Sequence, residues 1–488
     1  MSESLVPLVG AAQSASIQAL KPLGGRIDPT ALAFLEGPVD SAAAAAASAV
    51  TPFKQMDRDP LLGEVENAVA RADALLTSTS NALDALSRAT RLLPAMLGQS
   101  GSRSYLLLVQ NNAEWRSLGG ISGTAILLRT DQGHITLGET QSATQLSRGL
   151  TAPITQLPTE IEDVYQSQPA WYFHNLTQIP DFTIDGPIAQ AMYQKQTGTL
   201  VDGVIAVDPV VLSYLLKATG PVPLPGGDTL TSDNAVPLLL NEVYKKYESP
   251  TEQDALFAAA TGAVFQALLD GRGSTASMLT ALARGVDERR VLMWSAEADE
   301  QAQISGTALA GELPTTDAET ARFGVYFNDG TGSKMSYYVK PDVQLAWGQC
   351  QVGALPNSRT LTLTVTLTNT APRDAEKTLP PYITGNGAYG IPPGNASVVP
   401  NVYLPSGYEL VSSTTSDGTS FVAGSIGGHE VLTYGFVLMP GSSATLTLVV
   451  RGVSEASEAE AIVTPTADAA LSPTVRATCR DVTVATLE

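Results

Sequence analysis

The sequence predicts a three-part protein in which a mixed α/β (α+β) domain stands between a helical amino-terminal segment and an all-β carboxyl-terminal domain. Three observations predict it. Residues 1–100 are rich in Ala, Ser and Leu with apolar residues at helical spacing. Residues 101–342 alternate short apolar runs with longer amphipathic ones, and from residue 343 onward Thr- and Val-rich segments alternate between turn residues. A chain of 488 residues is too long for one hydrophobic core, which agrees with this division.

In the first part the strongest pattern runs from Leu61 to Leu93. Leu62, Val65, Val69, Ala72, Leu76, Leu83, Leu86 and Leu93 are spaced by threes, fours and their sums, so a single face is apolar and wants a partner. The stretch Ala42–Val50, another chain or the next domain would fill that role. Pro52, the segment Asp57–Pro60 and Pro94 punctuate the region, and a spacer reaching from a membrane to an outer domain fits its composition.

The second part opens on SYLLLVQNNAEWRSLGGISGTAILL, residues 104–128. Tyr105–Val109 is an unbroken apolar run, as expected of a strand buried on both faces. The run stops on Gln110, Asn111, Asn112, Glu114 and Arg116, which read as a polar turn before the Gly119–Gly120 pair and a second strand at Ala125–Leu128. Polar groups at the carboxyl end of a buried strand are where open α/β sheets place ligands. Strands follow at His134–Leu137, within Asp202–Pro209, at Val291–Trp294 and at Gly324–Phe327. Helices are predicted over Pro187–Thr197, Val210–Ala218, from Ser232-Asp233-Asn234 to Tyr247, and from Ser249 to Leu269.

In the third part, LTLTVTLTNTAP, VVPNVYLPSGYELV, VLTYGFVLMPGSSATLTLVVRG and VRATCRDVTVATL read as strands of an antiparallel, Ig-like sandwich, with a long loop between Pro380 and Pro400. Cys350 and Cys479 lie near its two ends. A bridge closing that loop would contribute about 4 to 5 kcal/mol, and two buried free thiols are the other reading.

Composition excludes several functions. With 28 basic against 48 acidic residues and a net charge of −20, the average field repels nucleic acid. There is no GxSxG elbow, GxxxxGK[ST] loop, HExxH or CxxC, which disfavours serine hydrolases, P-loop enzymes and structural zinc. No run of about 18 apolar residues exists, and the amino terminus lacks the basic and apolar regions of a signal peptide. The expectation is an extracellular or envelope protein whose membrane tether lies outside this sequence.

Candidate site residues come from the polar run and the loops. The guanidinium of Arg116 suits an anionic ligand, and an ion pair with Glu114 or with an aspartate that pins the turn is the alternative. Glu114, Asp181, Asp202 and Asp208 supply carboxylates near strand ends; two meeting in one cleft would hold magnesium or share acid and base work. Asp208 before proline also reads as a helix N-cap, and Asp181 as the cap of a turn. His174 alone among His134, His174 and His429 sits in a polar loop, WYFHNLTQIPDFTIDGP, where a hydrogen-bonded structural role competes with a functional one. Lys334, after Asn328-Asp329-Gly330, would meet an anion or stand solvated on a hairpin.

The segments SYLLLVQNNAEWRSLGGISG, Pro180–Phe182, DGVIAVDPVVLSYLLKATGPV and NDGTGSKMSYYV resemble an uncharacterised bacterial cell-envelope family, a domain of unknown function usually carrying an amino-terminal membrane helix. More distantly, strand, arginine turn, glycine, strand and hairpin, followed by DGV-strand-DP-helix-GPV and SDNAV, are similar to the LytR-CpsA-Psr fold. That resemblance implies transfer of glycan from a polyprenyl diphosphate carrier with magnesium, Arg116 matching in order. Ile121-Ser122-Gly123 replaces that family's arginine-serine-aspartate, and its proline-arginine-aspartate has no counterpart near Thr140–Gln145.

Together these readings imply a protein acting on a cell-wall glycan or its lipid-linked precursor. Glu114, Arg116 and Asp181 would be catalytic, and Asn111, Asn112, His174, Asp202 and Lys334 would bind ligand. A non-catalytic glycan-binding or assembly protein and a glycoside hydrolase are the other two readings.

Overall fold

The computed structural model describes residues 21–22, 24–54, 63–348, 359–452 and 456–479. Two long helices, α1 (Glu36–Lys54) and α2 (Gly63–Met96), pack against each other, so the partner of the apolar face is the Ala42–Val50 stretch of the same chain. Leu83 and Leu92 of α2 are buried, and Arg91 donates to the Asp40 carboxylate at 2.7 Å across the pair. Neither Pro52 nor Pro94 ends its helix. Pro94 lies in the last turn of α2, two residues before its end, so the i→i−4 bond that its missing N–H removes is at the helix terminus and not in its middle. Leu62 and the Asp57–Pro60 segment lie outside the described residues.

Five strands form the central sheet: β1 (Arg103–Arg116), β2 (Gly119–Asp131), β3 (His134–Ser142), β4 (Gly203–Val207) and β5 (Leu292–Ser295), in the spatial order β3-β2-β1-β4-β5. β1 pairs antiparallel with β2 and parallel with β4, and β4 pairs antiparallel with β5. The residues expected to form a polar turn, Gln110 to Arg116, are the second half of β1 instead. All are buried, and the side chains of Asn111, Asn112, Glu114 and Arg116 are hydrogen-bonded within the protein rather than solvated, which lets a polar sequence stay extended. The helix expected from Pro187 starts five residues earlier, at Phe182, and runs to Thr197 as α3 because Asp181 accepts from Thr183 N at 3.0 Å as its N-cap. Asp208 caps α4 (Pro209–Thr219) through Val211 N at 2.9 Å, and Gly220 closes it. The segment 235–246 is short α and π turns, and α5 covers Pro250–Leu269.

Two further large sheets lie among the described residues, besides a short two-stranded pairing of Val222–Pro223 with Thr229–Leu230. The strand Thr320–Asp329 (β6) belongs to a seven-stranded sheet with later strands, next to Ala396–Tyr403 and Glu458–Val463; the last of these pairs with it in parallel, against the all-antiparallel expectation. Val339–Trp347 opens a four-stranded antiparallel sheet with Arg359–Asn369, Ser443–Gly452 and Tyr408–Thr415. Inward residues of both sheets, among them Phe323, Val325, Leu363 and Leu448, share one core with α4 and with Trp115 of β1. Trp115 is fully buried with its ring 5.4 Å from that of Phe327, so the carboxyl end of β1 is driven into the β-rich part. Three further bonds fasten it there: Ser117 N to Asn328 Oδ1, Thr464 Oγ1 to Ser117 O, and Asn112 Nδ2 to Pro465 O, each between 2.8 and 3.1 Å.

Cys479 is disulfide-bonded, and Cys350, the chain's other cysteine, lies outside the described residues. Among the described residues no helix is long and apolar enough to cross a membrane.

Candidate functional site

Two register shifts break the ladder between β1 and β2, one at Val109/Gln110 and one between Asn111 and Trp115. Bulges of this kind bring consecutive side chains to one face. Here Val109, Gln110, Asn111 and Glu114 all line a single cavity of about 410 Å³. The strands can approach so closely because residue 120 is glycine; a Cβ there would lie 2.2 Å from the carbonyl carbon of Asn111. Ile121, Gly123 and Thr124 of β2, Ser142–Thr144, His174, Tyr244, Gln253, Asp254 and Phe257 complete one side. Gly332, Lys334, Pro381, Tyr382 and Gly385 close the other.

The charged centre is Glu114. Lys334 Nζ donates to its Oε2, and Arg116 Nη2 donates to Oε1 at 3.3 Å. Burial alone would raise the Glu114 carboxyl, but Lys334 and Arg116 outweigh it and hold the group ionised, below its ordinary range. Burial likewise works against the Lys334 ammonium, and Glu114 with the phenols of Tyr244 and Tyr382 reverses this, so its pKa is raised. The ammonium lies 5.8 and 5.5 Å from those two ring centroids. Lys334 is therefore a buried, paired cation and not a solvated hairpin residue. Asp329, at the same turn, is pushed up to about 6 by burial and by Glu114, while the amides of Thr331 and Gly332 donate to it. Burial, with the positive charge of Arg116, lowers His174 and keeps its imidazole neutral. Asp254 is raised by burial, against the pull of Lys334.

The remaining polar groups differ in how they are satisfied. Asn111 Nδ2 donates to the Tyr244 hydroxyl, and its Oδ1 accepts from Ala113 N at 3.1 Å. Arg116 Nη2 also donates to Asn175 Oδ1 at 2.8 Å, its Nε donates to the same oxygen at 3.2 Å, and its Nη1 donates to Trp115 O at 2.8 Å. Gln110 is 1% exposed and its Nε2 has no hydrogen-bond partner.

The structure thus brings Asn111, Glu114, His174 and Lys334 into one pocket, with Arg116 behind Glu114. It does not bring the other three there. Asn112 turns away to Asp208 Oδ2, at 3.1 Å, and to Pro465 O. Asp208 in turn holds the buried Arg290 at 2.7 Å. Asp181 caps α3 and shares its neighbourhood with Asp185, whose two carboxyl oxygens are buried without partners. Asp202 accepts from Ser104 N at 2.7 Å at the opposite end of β1, roughly 30 Å from Glu114 by strand rise. Gln110 was visible in the sequence as part of the polar run, and Asp329 as part of an Asn-Asp-Gly turn. Tyr244, Asp254 and Tyr382 carry no local signal. Among the described residues no group of three or more His, Cys, Asp or Glu side chains is placed to hold a metal ion.

Residues 100–244, which contain β1 to β4 and half of the pocket wall, match the family described as "Protein of unknown function (DUF4012)". No curated protein matches the chain. Two solved structures are similar at low level. Protein gbs0355 from Streptococcus agalactiae is 14% identical with a TM-score of 0.28, the match covering 46% of this chain and 81% of that one. The Lin1025 protein from Listeria innocua is 9% identical with a TM-score of 0.22, covering 51% and 86%.

Proposed function

We propose that this chain is an exported cell-envelope protein whose pocket recognises a bacterial wall glycan, either free or as the head of a polyprenyl-diphosphate precursor. The observation that carries the reading is Gln110, a residue of the pocket wall whose amide nitrogen is buried without a partner. A buried donor left unmade costs free energy unless a ligand completes it. Around it stand the hydroxyls of Thr124 and Ser142 and the rings of Tyr382 and Phe257. Sugars offer hydroxyls to such polar groups and carbon-bound faces to such rings, and a concave site of this volume suits one or two sugar units. The disulfide at Cys479 supports an oxidising compartment. The distant resemblance of the order of its sequence segments to LytR-CpsA-Psr proteins supports a glycan rather than another polar ligand.

Recognition is favoured over transfer because the groups expected to act are occupied. Both oxygens of Glu114 are held by cations, and the guanidinium of Arg116 is spent on protein acceptors. One observation favours hydrolysis as a second reading. Asp254, raised by burial, and Glu114, held ionised, share the pocket with their acidities pushed apart, the pattern of an acid and its counterpart.

Calorimetry of the purified protein with wall oligosaccharides and with polyprenyl-diphosphate oligosaccharide, with and without magnesium, tests this. Binding without turnover, weakened about tenfold in Gln110→Ala, the equivalent of about 1.4 kcal/mol, is expected. Magnesium-dependent release of the lipid would replace recognition by transfer. Release of sugar that disappears in Asp254→Asn would make it a hydrolase. No binding of any wall glycan would remove the reading.

A further inference from the structure

Resting on that glycan reading, we infer that the pocket is the inner subsite of a longer one, and that Tyr389 is the platform for the next sugar of an oligosaccharide chain. The aromatic rings form a path of rising exposure. Tyr244, at the floor, is 3% exposed and bonded to Asn111; Tyr382 stacks on it with centroids 5.4 Å apart and is 42% exposed; Tyr389, at the rim, is 81% exposed. The rim and the pocket are one structure. Lys334 N donates to Ile383 O at 2.9 Å, and the ring of Tyr389 lies beside Gly332, its Cε2 3.6 Å from where a Cβ on that glycine would stand.

Tyr389 has no packing role that would explain its position. Its backbone is left-handed, at φ +59°, in a turn that already holds Asn386 at +49° and Gly387 at +75°. A side chain with a Cβ is unfavourable there, and glycine would satisfy the turn more easily. Strain kept in the folded state while the ring stays open to solvent is the arrangement found where a side chain is displayed for a ligand. The chemistry of the path names the ligand class. An inner polar pocket followed by open aromatic surface suits a chain of sugars, each with a polar rim and an apolar face, and not a single small anion, for which the outer rings offer nothing.

The test compares fragments of two and of eight sugars prepared from bacterial cell-wall polysaccharide. Affinities are measured by calorimetry on the full protein, wild type, Tyr389→Ala and Tyr389→Trp, with unfolding midpoints taken alongside. The wild type and Tyr389→Trp should bind the longer fragment about tenfold more tightly than the shorter. Tyr389→Ala should lose that gain while binding the short fragment unchanged and unfolding at the same midpoint. Equal affinity of the wild type for both lengths, a gain retained in Tyr389→Ala, or equal weakening of both fragments in it would overturn the outer subsite with the inner one intact. If the wild type binds neither fragment, the glycan reading falls and the subsite with it.

Discussion

Lys334 and Glu114, 220 residues apart in the chain, form a buried ion pair that joins the turn after β6 to the bulged half of β1. Because Arg116 grips the same carboxylate, Glu114 compensates two buried cations. Replacing it by Gln strands both, and a broken buried pair costs about 3–5 kcal/mol. Denaturant unfolding of Glu114→Gln should show that loss, and the double variant with Lys334→Met should recover part of it. Equal stability of Glu114→Gln and wild type would mean that the cluster is open to solvent.

Acid titration should show two opposite trends in the same cluster. Glu114 is lowered in the folded state, so its contribution is full above its ordinary value of 4.5 and disappears as pH falls through the lowered value. Asp329 is raised from 3.8 to about 6, so the folded state holds a proton that the unfolded state has released. Its contribution is greatest below 3.8 and is lost as pH rises through 6. Asp185, raised well above 3.8 by burial and by Asp181, acts in the same sense over a wider range. Unfolding midpoints taken from about pH 4 to 7 should fall less steeply in Asp329→Asn than in the wild type. An unchanged slope would contradict the burial of that carboxyl.

Gly120→Ala should be severe for its size. The added carbon would meet Asn111 backbone atoms at 2.2 Å and Asn112 N at 2.5 Å, and backbone gives way less readily than a flexible side chain. The cost should be about 3 kcal/mol, at the upper end for overpacking, and the distorted bulge should abolish ligand binding at the pocket. Thermal unfolding and calorimetry check the two effects.

Asn112→Ala separates stability from binding. It removes the bonds to Asp208 and Pro465 O, at a cost of about 1–3 kcal/mol for the groups left behind. None of these atoms faces the pocket, so glycan affinity should be preserved. A loss of affinity larger than the loss of stability would place Asn112 in the binding surface.

The parts of this protein written locally were legible in its sequence. Asp208-Pro209 announces a helix start because the cap and its target amide are three residues apart, and Gly220 announces its end in the same way. The apolar face of α2, the short strand Gly203–Val207 and the Thr/Val alternation of Arg359–Asn369 follow from side-chain periodicity, which needs no knowledge of the partner. The polar run after Val109 marked part of the pocket wall for the same reason: five hydrogen-bonding side chains beside a buried strand demand partners wherever they go.

Where they go was decided by tertiary structure. Whether Gln110 to Ser117 is a turn or a strand depends on partners far along the chain, from Asn175 and Tyr244 to Asn328, Ser336, Thr464 and Pro465, and polarity by itself favours the turn. The bulges that place Glu114 in the pocket and Asn112 outside it reverse the simple alternation of a strand, so period-two reasoning assigns those side chains wrongly. Lys334 could be read as solvated or as anion-binding until the fold set it against Glu114 under two tyrosine rings. The sequence by itself determined that residues 104 to 128 carry a polar run on a buried strand; the fold alone decided which of its groups face the cavity, because burial and pairing are properties of contacts across the chain and not of the residues that make them.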